Sequence, residues 1–170
     1  MIELLLPGDF VAGLVEGEGC FILQYRREVK RNRLGSPSYF RWFVAFAIVL
    51  RNDDAPLLNM IKKSLGCGSL SYTRNSVRFQ VQDAYILLKK IVPFFNKFRL
   101  HGKKAKDFAL WKEAVGTVAR NRYIRLSKWS EDDAERLHQI RNQMKIYKSQ
   151  GPEFKWEIKH KGSGTVYDAQ

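Results

Sequence analysis

Two glutamates one residue apart, Glu16 and Glu18, close a glycine-rich stretch that reads Val11-Ala12-Gly13-Leu14-Val15-Glu16-Gly17-Glu18-Gly19. The apolar spacing before them, with Pro7 near the first turn, predicts a short helix over 7–16 that ends at Gly17 and Gly19. Carboxylates at the C-terminal end of a helix meet the negative end of its dipole, a penalty of about 0.3–1 kcal/mol. A divalent cation that takes oxygen ligands, Mg²⁺ or Ca²⁺, would reverse that penalty and use the free terminal carbonyls as well. Spacing alone does not separate such a site from a solvated pair of glutamates. Gly13 and Gly17 lie four apart on one helix face, where small residues let two backbones approach closely. A helical glycine costs about 0.5–1 kcal/mol relative to alanine, which close packing would offset.

The elements that must hold this stretch follow from the pattern of the rest of the chain. Residues 20–30 alternate as a first strand, and 39–51 form a second with Trp42, Val44, Phe46 and Ile48 on one side. Asn52-Asp53-Asp54 are expected to cap a helix to about residue 65, with Pro56 in its first turn. Strands are predicted over 69–74 and 77–82, joined at Asn75-Ser76. Helices are predicted over 83–92, ending before Pro93, over 103–119, and from the cap Ser130-Glu131-Asp132-Asp133 to about 148. Short connections make the strand pairs antiparallel, so the expected fold is α+β, with one four-stranded sheet and helices on one face. Residues 1–150 read as one domain and 151–170 as a tail. The free sheet face would carry Gln24, Arg26 and Arg41, then Arg78 and Gln80, with serines and threonines from the third strand. These side chains suit base edges, although any antiparallel sheet with one wet face is polar there.

Thirty Lys and Arg against 17 Asp and Glu give a formal charge of +13, which favours a polyanionic partner. Hydrophobic residues make up 45% of the chain, enough for a true core. Cys20 and Cys67 form neither a disulfide framework nor a zinc spacing, and a reducing compartment fits. No apolar run approaches the roughly 18 residues of a membrane span, and no signal peptide is evident at the start, so no membrane is expected. The location reads as intracellular, with mitochondrion, chloroplast or prokaryotic cytoplasm open. His101, His138 and His160 are scattered and read as solvated. Trp111 and Phe108 read as core.

Residues 11–19 resemble the LAGLIDADG motif of the homing endonucleases, in a variant with glutamate at both acidic positions. Three further segments are similar to the same family in the same order: FAIVLRNDDAPLL at 46–58, LGCG at 65–68 and KKAKDFALW at 103–111. The resemblance covers about residues 4–120. It implies an αββαββα core whose saddle-shaped sheet sits in the DNA major groove, with motif helices of two cores packed at Gly13 and Gly17. It makes Glu18 the metal ligand, with the Gly17 carbonyl as a second ligand and Glu16 as a supporting acid. It also places a basic residue near the scissile phosphate, Lys104 with Lys103 beside it. Mg²⁺ is the implied cofactor; Mn²⁺ can substitute, and Ca²⁺ binds without supporting cleavage. One motif and no second copy imply a homodimer on a near-palindromic duplex. Gln24, Arg26, Arg41, Arg78 and Gln80 would read bases, while Lys30, Arg31, Arg33 and Arg74 would hold the backbone. Some members of the family assist intron splicing, which leaves intron RNA as an alternative partner. One departure stands out: a position that is often polar and water-organising in the family is Leu50, and Arg51 or Asn52 would have to serve instead.

Overall fold

Alternation along the first two strands sorts the side chains as expected. β1 (Gly19–Val29) and β2 (Ser38–Arg51) pair antiparallel, with Phe21 opposite Phe46, Leu23 opposite Val44 and Tyr25 opposite Trp42. The computed structural model describes residues 6–29 and 38–147. The proposed tail 151–170 and the β1–β2 turn, with Lys30, Arg31 and Arg33, lie outside the described residues. β4 (Ser76–Val81) pairs with β2, placing Phe79 opposite Ile48, and with β3 (Ser69–Tyr72), placing Phe79 opposite Leu70. The sheet order is β1-β2-β4-β3. At the turn into β3, Gly68 holds φ +88°, and an added Cβ would sit 2.4 Å from the Phe79 ring, so only glycine fits.

The apolar face of the sheet meets α1 (Gly8–Glu18), α2 (Ala55–Leu65), the short helices α3 (Ala84–Ile86) and α4 (Val92–Lys97), α5 (Gly102–Arg120) and α6 (Glu131–Tyr147). The core centres on Phe21, whose ring meets those of Phe46, Phe95, Phe108 and Trp111 at 4.9–5.7 Å. Trp111 is fully buried, and its Nε1 donates to the Ile22 carbonyl at 3.1 Å, which seats α5 beneath β1. α6 is clamped to α5 by Arg136, whose Nε and Nη2 donate to the two Glu113 oxygens at 2.6 and 2.8 Å.

Three boundaries differ from expectation. α1 continues two residues past Glu16, so Gly17 and Glu18 are helical, and Gly19 is the residue that leaves the helix. Pro93 does not end a helix: α3 and α4 are joined through a π-wound turn at Leu87–Ile91, closed by Val92 N–H on the Leu87 carbonyl. The wider turn opens the spacing where the proline ring would otherwise meet the preceding carbonyls. β3 stops at Tyr72, because Thr73 N–H bonds the Ser76 carbonyl at 2.8 Å and makes Arg74-Asn75 the turn. Asp83 and Ser130 cap as their residue types suggest, whereas Asp54, at the cap position of α2, makes no side-chain capping bond and Asn52 turns to the β3–β4 hairpin. Asp83 Oδ1 accepts from Tyr85 and Ile86 N–H at 2.9 Å, and Ser130 Oγ accepts from Asp133 N–H at 3.1 Å.

Candidate active site and nucleic-acid interface

α1 buries Val11, Ala12 and Val15 and turns its other side outward. That outer side carries Phe10, 48% exposed, with Gly13, half-buried Leu14 and Gly17 at helical spacing. A Cβ built on Gly13 or Gly17 meets nothing within 4 Å. Gly8 and Gly19 differ: a Cβ there would stand 2.3 Å from the Phe98 ring and 2.5 Å from Val15 Cγ1. The first pair leaves room for a neighbour outside the chain, and the second pair is demanded by packing within it.

Glu18 is exposed at the end of α1. Glu16, half-buried, turns its carboxylate to the backbone N–H of His101, the residue before α5. Lys104 reaches back the other way, and its Nζ donates to the Gly19 carbonyl at 2.6 Å. Lys103 is exposed and makes no such contact. The structure therefore brings Glu16, Gly17, Glu18 and Lys104 to one place from segments about 85 positions apart in sequence. Among the described residues no group of three or more His, Cys, Asp or Glu converges as a metal site. The donors present are one exposed carboxylate and the last carbonyls of a helix, which lack intrahelical partners. That set is hard and oxygen-only, and it suits Mg²⁺, which binds through one or two carboxylates together with substrate phosphates.

The open sheet face begins beside this helix end, where Gly19 lies opposite Ile48. One cross-strand rung runs Ala47, Gln80, Ser69 and the next Val49, Arg78, Ser71. At the far end Gln24 lies opposite Phe43, and Arg26 opposite Arg41. Gln24, Arg41 and Arg78 are exposed, Arg26 and Gln80 are half-buried, and Arg74 is exposed at the hairpin turn. Phe43 stands on this face yet is only 5% exposed, because the Arg26 guanidinium lies 3.5 Å over its ring. Arg26 Nε also donates to Gln24 Oε1 at 2.7 Å. Burial, and then the neighbouring Arg41, push the Arg26 pKa down, so its charge gains from any acceptor brought to it. Glu28 restrains the second arginine: Arg41 Nε lies 2.6 Å from Glu28 Oε1, and Tyr39 donates to Oε2 at 3.1 Å.

Leu50 lies on the helix side of the sheet, opposite Val77, so it does not face this surface. Arg51 does, at the α1 end, where it pairs with Asp53 at 3.1 Å. Asn52 is committed elsewhere, with its Nδ2 donating to the Thr73 and Arg74 carbonyls at 3.0 and 2.9 Å. His138 is not solvated as its spacing suggested. It is half-buried against Trp42 and Tyr25, with ring centroids 4.7 and 5.5 Å away.

A four-stranded antiparallel sheet with helices on one face, a cationic open face and an acid-ended glycine helix beside its first strand define an α+β domain. The sequence model of the LAGLIDADG endonucleases matches residues 11–115, and the chain belongs to that family. It is 28% identical over 131 residues to "Probable intron-encoded endonuclease 2" of Neurospora crassa, covering 74% of this chain and 27% of that protein. It is 29% identical over 108 residues to "Probable intron-encoded endonuclease Cox1-I1b" of Schizosaccharomyces pombe, covering 62% of this chain and 26% of that one. The chain thus spans about a quarter of the length of these curated relatives. Among solved structures, I-SmaMI bound to uncleaved DNA with calcium ions superposes with a TM-score of 0.69 at 20% identity, covering 83% of this chain and 45% of that one. The homing endonuclease I-TnaI gives 0.64 at 24%, covering 84% of this chain and 95% of its own. Likeness at this identity establishes the fold, the α+β architecture of LAGLIDADG homing endonucleases. Among the described residues no helix is long and apolar enough to cross a membrane.

Proposed function

We propose that this chain is a site-specific homing endonuclease that hydrolyses both strands of a long, near-palindromic DNA duplex as a homodimer with a divalent metal. One observation carries the reading. α1 turns two bare glycines outward and ends on exposed Glu18, while Lys104 is held against the carbonyl of the next residue. The solved relative I-SmaMI, which shares the fold, is bound to DNA with calcium ions, in keeping with a duplex partner and a divalent cation.

Two copies packed through Gly13 and Gly17 bring two Glu18 carboxylates to one centre, and the Gly17 carbonyls complete an oxygen donor set. Mg²⁺ bound there supplies Lewis acidity toward the scissile phosphates. Glu18 holds the cation, and Lys104 offsets the charge that grows on the phosphate. Lys103, one position earlier and exposed, is the second candidate for that role. Gln24, Arg26, Arg41, Arg78 and Gln80 face the groove floor, where Arg pairs with guanine and Gln with adenine, while Arg74 at the hairpin turn is suited to phosphate. Lys30, Arg31 and Arg33 extend the backbone contacts on the same reading.

The test is incubation of the wild-type chain with a randomised duplex library and Mg²⁺, followed by sequencing of the cut ends. The expected product is a family of related, near-palindromic sites. Glu18→Gln abolishes cutting of those sites and leaves their binding in Ca²⁺ within a few-fold. Cutting by Glu18→Gln at the wild-type rate would refute the assignment.

A further inference from the structure

We infer that Glu16 is a positioning residue for Lys104, acting through the backbone of His101 rather than on metal or phosphate. The inference rests on the nuclease reading above and assigns a part to the acid which that reading leaves without one.

α5 starts badly on its own sequence. Its first turn holds no acidic residue, and the side chain of its cap residue, His101, makes no capping bond. Instead Lys103, Lys104 and Lys106 crowd the end where a helix dipole is positive. A capping box would put a Glu or Gln at the third helical position, reaching back to the N–H of the cap residue. Here the cap residue is His101 and the third position is Lys104. The carboxylate that bonds the His101 N–H comes from Glu16, 85 positions away in sequence. Glu16 therefore stands at the unfavourable end of its own helix and at the favourable end of another.

The exchange frees the third position of α5 for a cation. Lys104 uses it to reach the Gly19 carbonyl at 2.6 Å, where the chain leaves α1. The two links run in opposite directions: a carboxylate of α1 caps α5, and an ammonium of α5 closes the exit of α1. Glu18 and Lys104 are thereby held in one frame. Loss of the cap lets the start of α5 shift, and a displacement of about 1 Å at a reacting group lowers rate on the order of a hundredfold.

Amide hydrogen exchange on the free protein reads the latch directly. Glu16→Ala speeds exchange at His101 at least tenfold, and Glu16→Gln, which keeps an acceptor oxygen, does not. Unchanged exchange at His101 in Glu16→Ala overturns the latch. On a duplex site recovered from the library, Glu16→Ala lowers single-turnover cleavage by about ten- to a hundredfold with Kd unchanged, and Glu16→Gln recovers most of that loss. A metal ligand or proton carrier would leave Gln as slow as Ala, and that result rejects positioning. Because the loss runs through Lys104, the double variant Glu16→Ala/Lys104→Ala is no slower than Lys104→Ala alone, and multiplied losses reject the coupling. The exchange measurement needs no DNA, so a wild-type chain that cuts nothing sinks the nuclease reading while the latch is judged separately.

Discussion

Lys104 and Glu28 show how individual charges on this surface are already committed, and each commitment fixes an outcome. Lys104→Met keeps most of the length of the side chain and removes its charge. Cleavage should fall about a hundredfold, the scale for losing one preorganised donor, while duplex affinity in Ca²⁺ changes little. A comparable loss for Lys103→Met would mean that the exposed neighbour is the working cation. Glu28→Gln releases Arg41 from its 2.6 Å partner and raises the net charge by one. Titration of the variant with duplex DNA should show tighter binding and a steeper dependence on salt, with little change in melting temperature, since exposed ion pairs contribute about 0–1 kcal/mol. Burial, and then Arg141, lower the pKa of His138. Its unfolded counterpart takes up a proton near pH 6.5, while the folded imidazole stays neutral to lower pH. The stability it contributes is complete above that value and is lost as pH falls through the window beneath it. The melting temperature should therefore drop from about pH 7 to 5 in the wild type, and less in His138→Phe; parallel curves would clear His138 of the effect. The places of Glu18 at the end of α1 and Lys104 at the start of α5 were legible in the sequence, because helix signals mark both segments. The partners Glu16–His101, Arg26–Phe43 and Arg41–Glu28 were not, since the first joins segments 85 positions apart and the others depend on strand register.

α1 presents two kinds of glycine, which substitution should separate. Gly13→Leu meets open space, so the chain should fold with unchanged circular dichroism and elute as a monomer in size-exclusion chromatography, while the wild type should elute as the proposed dimer at the same concentration. Gly19→Ala instead brings a Cβ to 2.5 Å from Val15 Cγ1 and should lower stability by about 1–3 kcal/mol in urea titration. Persistence of the dimer in Gly13→Leu would remove α1 from the interface. The same helix shows what periodicity reads and what it does not. The buried face of Val11, Ala12 and Val15 is explicit in the spacing, but the end of the helix is not. Gly17 looks like a stop and is helical, because the signal that matters is the entry of β1 at Gly19 opposite Ile48. Pro93 misleads for a related reason: a π-wound turn absorbs it, and no local pattern announces that turn. The strands were read to within a residue or two because alternation persists through them, Phe21 to Tyr25 and Trp42 to Ile48.

At the scale of the whole molecule, if the chain acts on DNA as proposed, the sheet length and the acid-ended α1 together set the form of the site. From Arg41 to Val49, which lies opposite Arg78, β2 advances eight residues, about 27 Å at the usual rise of roughly 3.4 Å per residue. Duplex DNA advances about 3.4 Å per base pair, so one open face covers on the order of eight base pairs. On the proposed function Glu18 supplies half of a metal centre, and among the described residues no group of three or more His, Cys, Asp or Glu completes it. A second copy related by a twofold axis would supply the other carboxylate and would repeat the eight-base-pair contact in the opposite sense. Two consequences follow, and they can be measured together. Cut sites from a randomised library should be inverted repeats at least about sixteen base pairs long, symmetric about the break. Cleavage of a short duplex at limiting protein should rise with the square of chain concentration and become linear once the dimer is saturated. Asymmetric sites cut with first-order dependence on the chain would mean that a single copy carries the activity. Asymmetric sites cut only after a different chain is added would mean that this domain is one half of an unequal pair. Inverted repeats with second-order onset are the outcome expected if the outward Gly13 and Gly17 pack against a second copy as proposed.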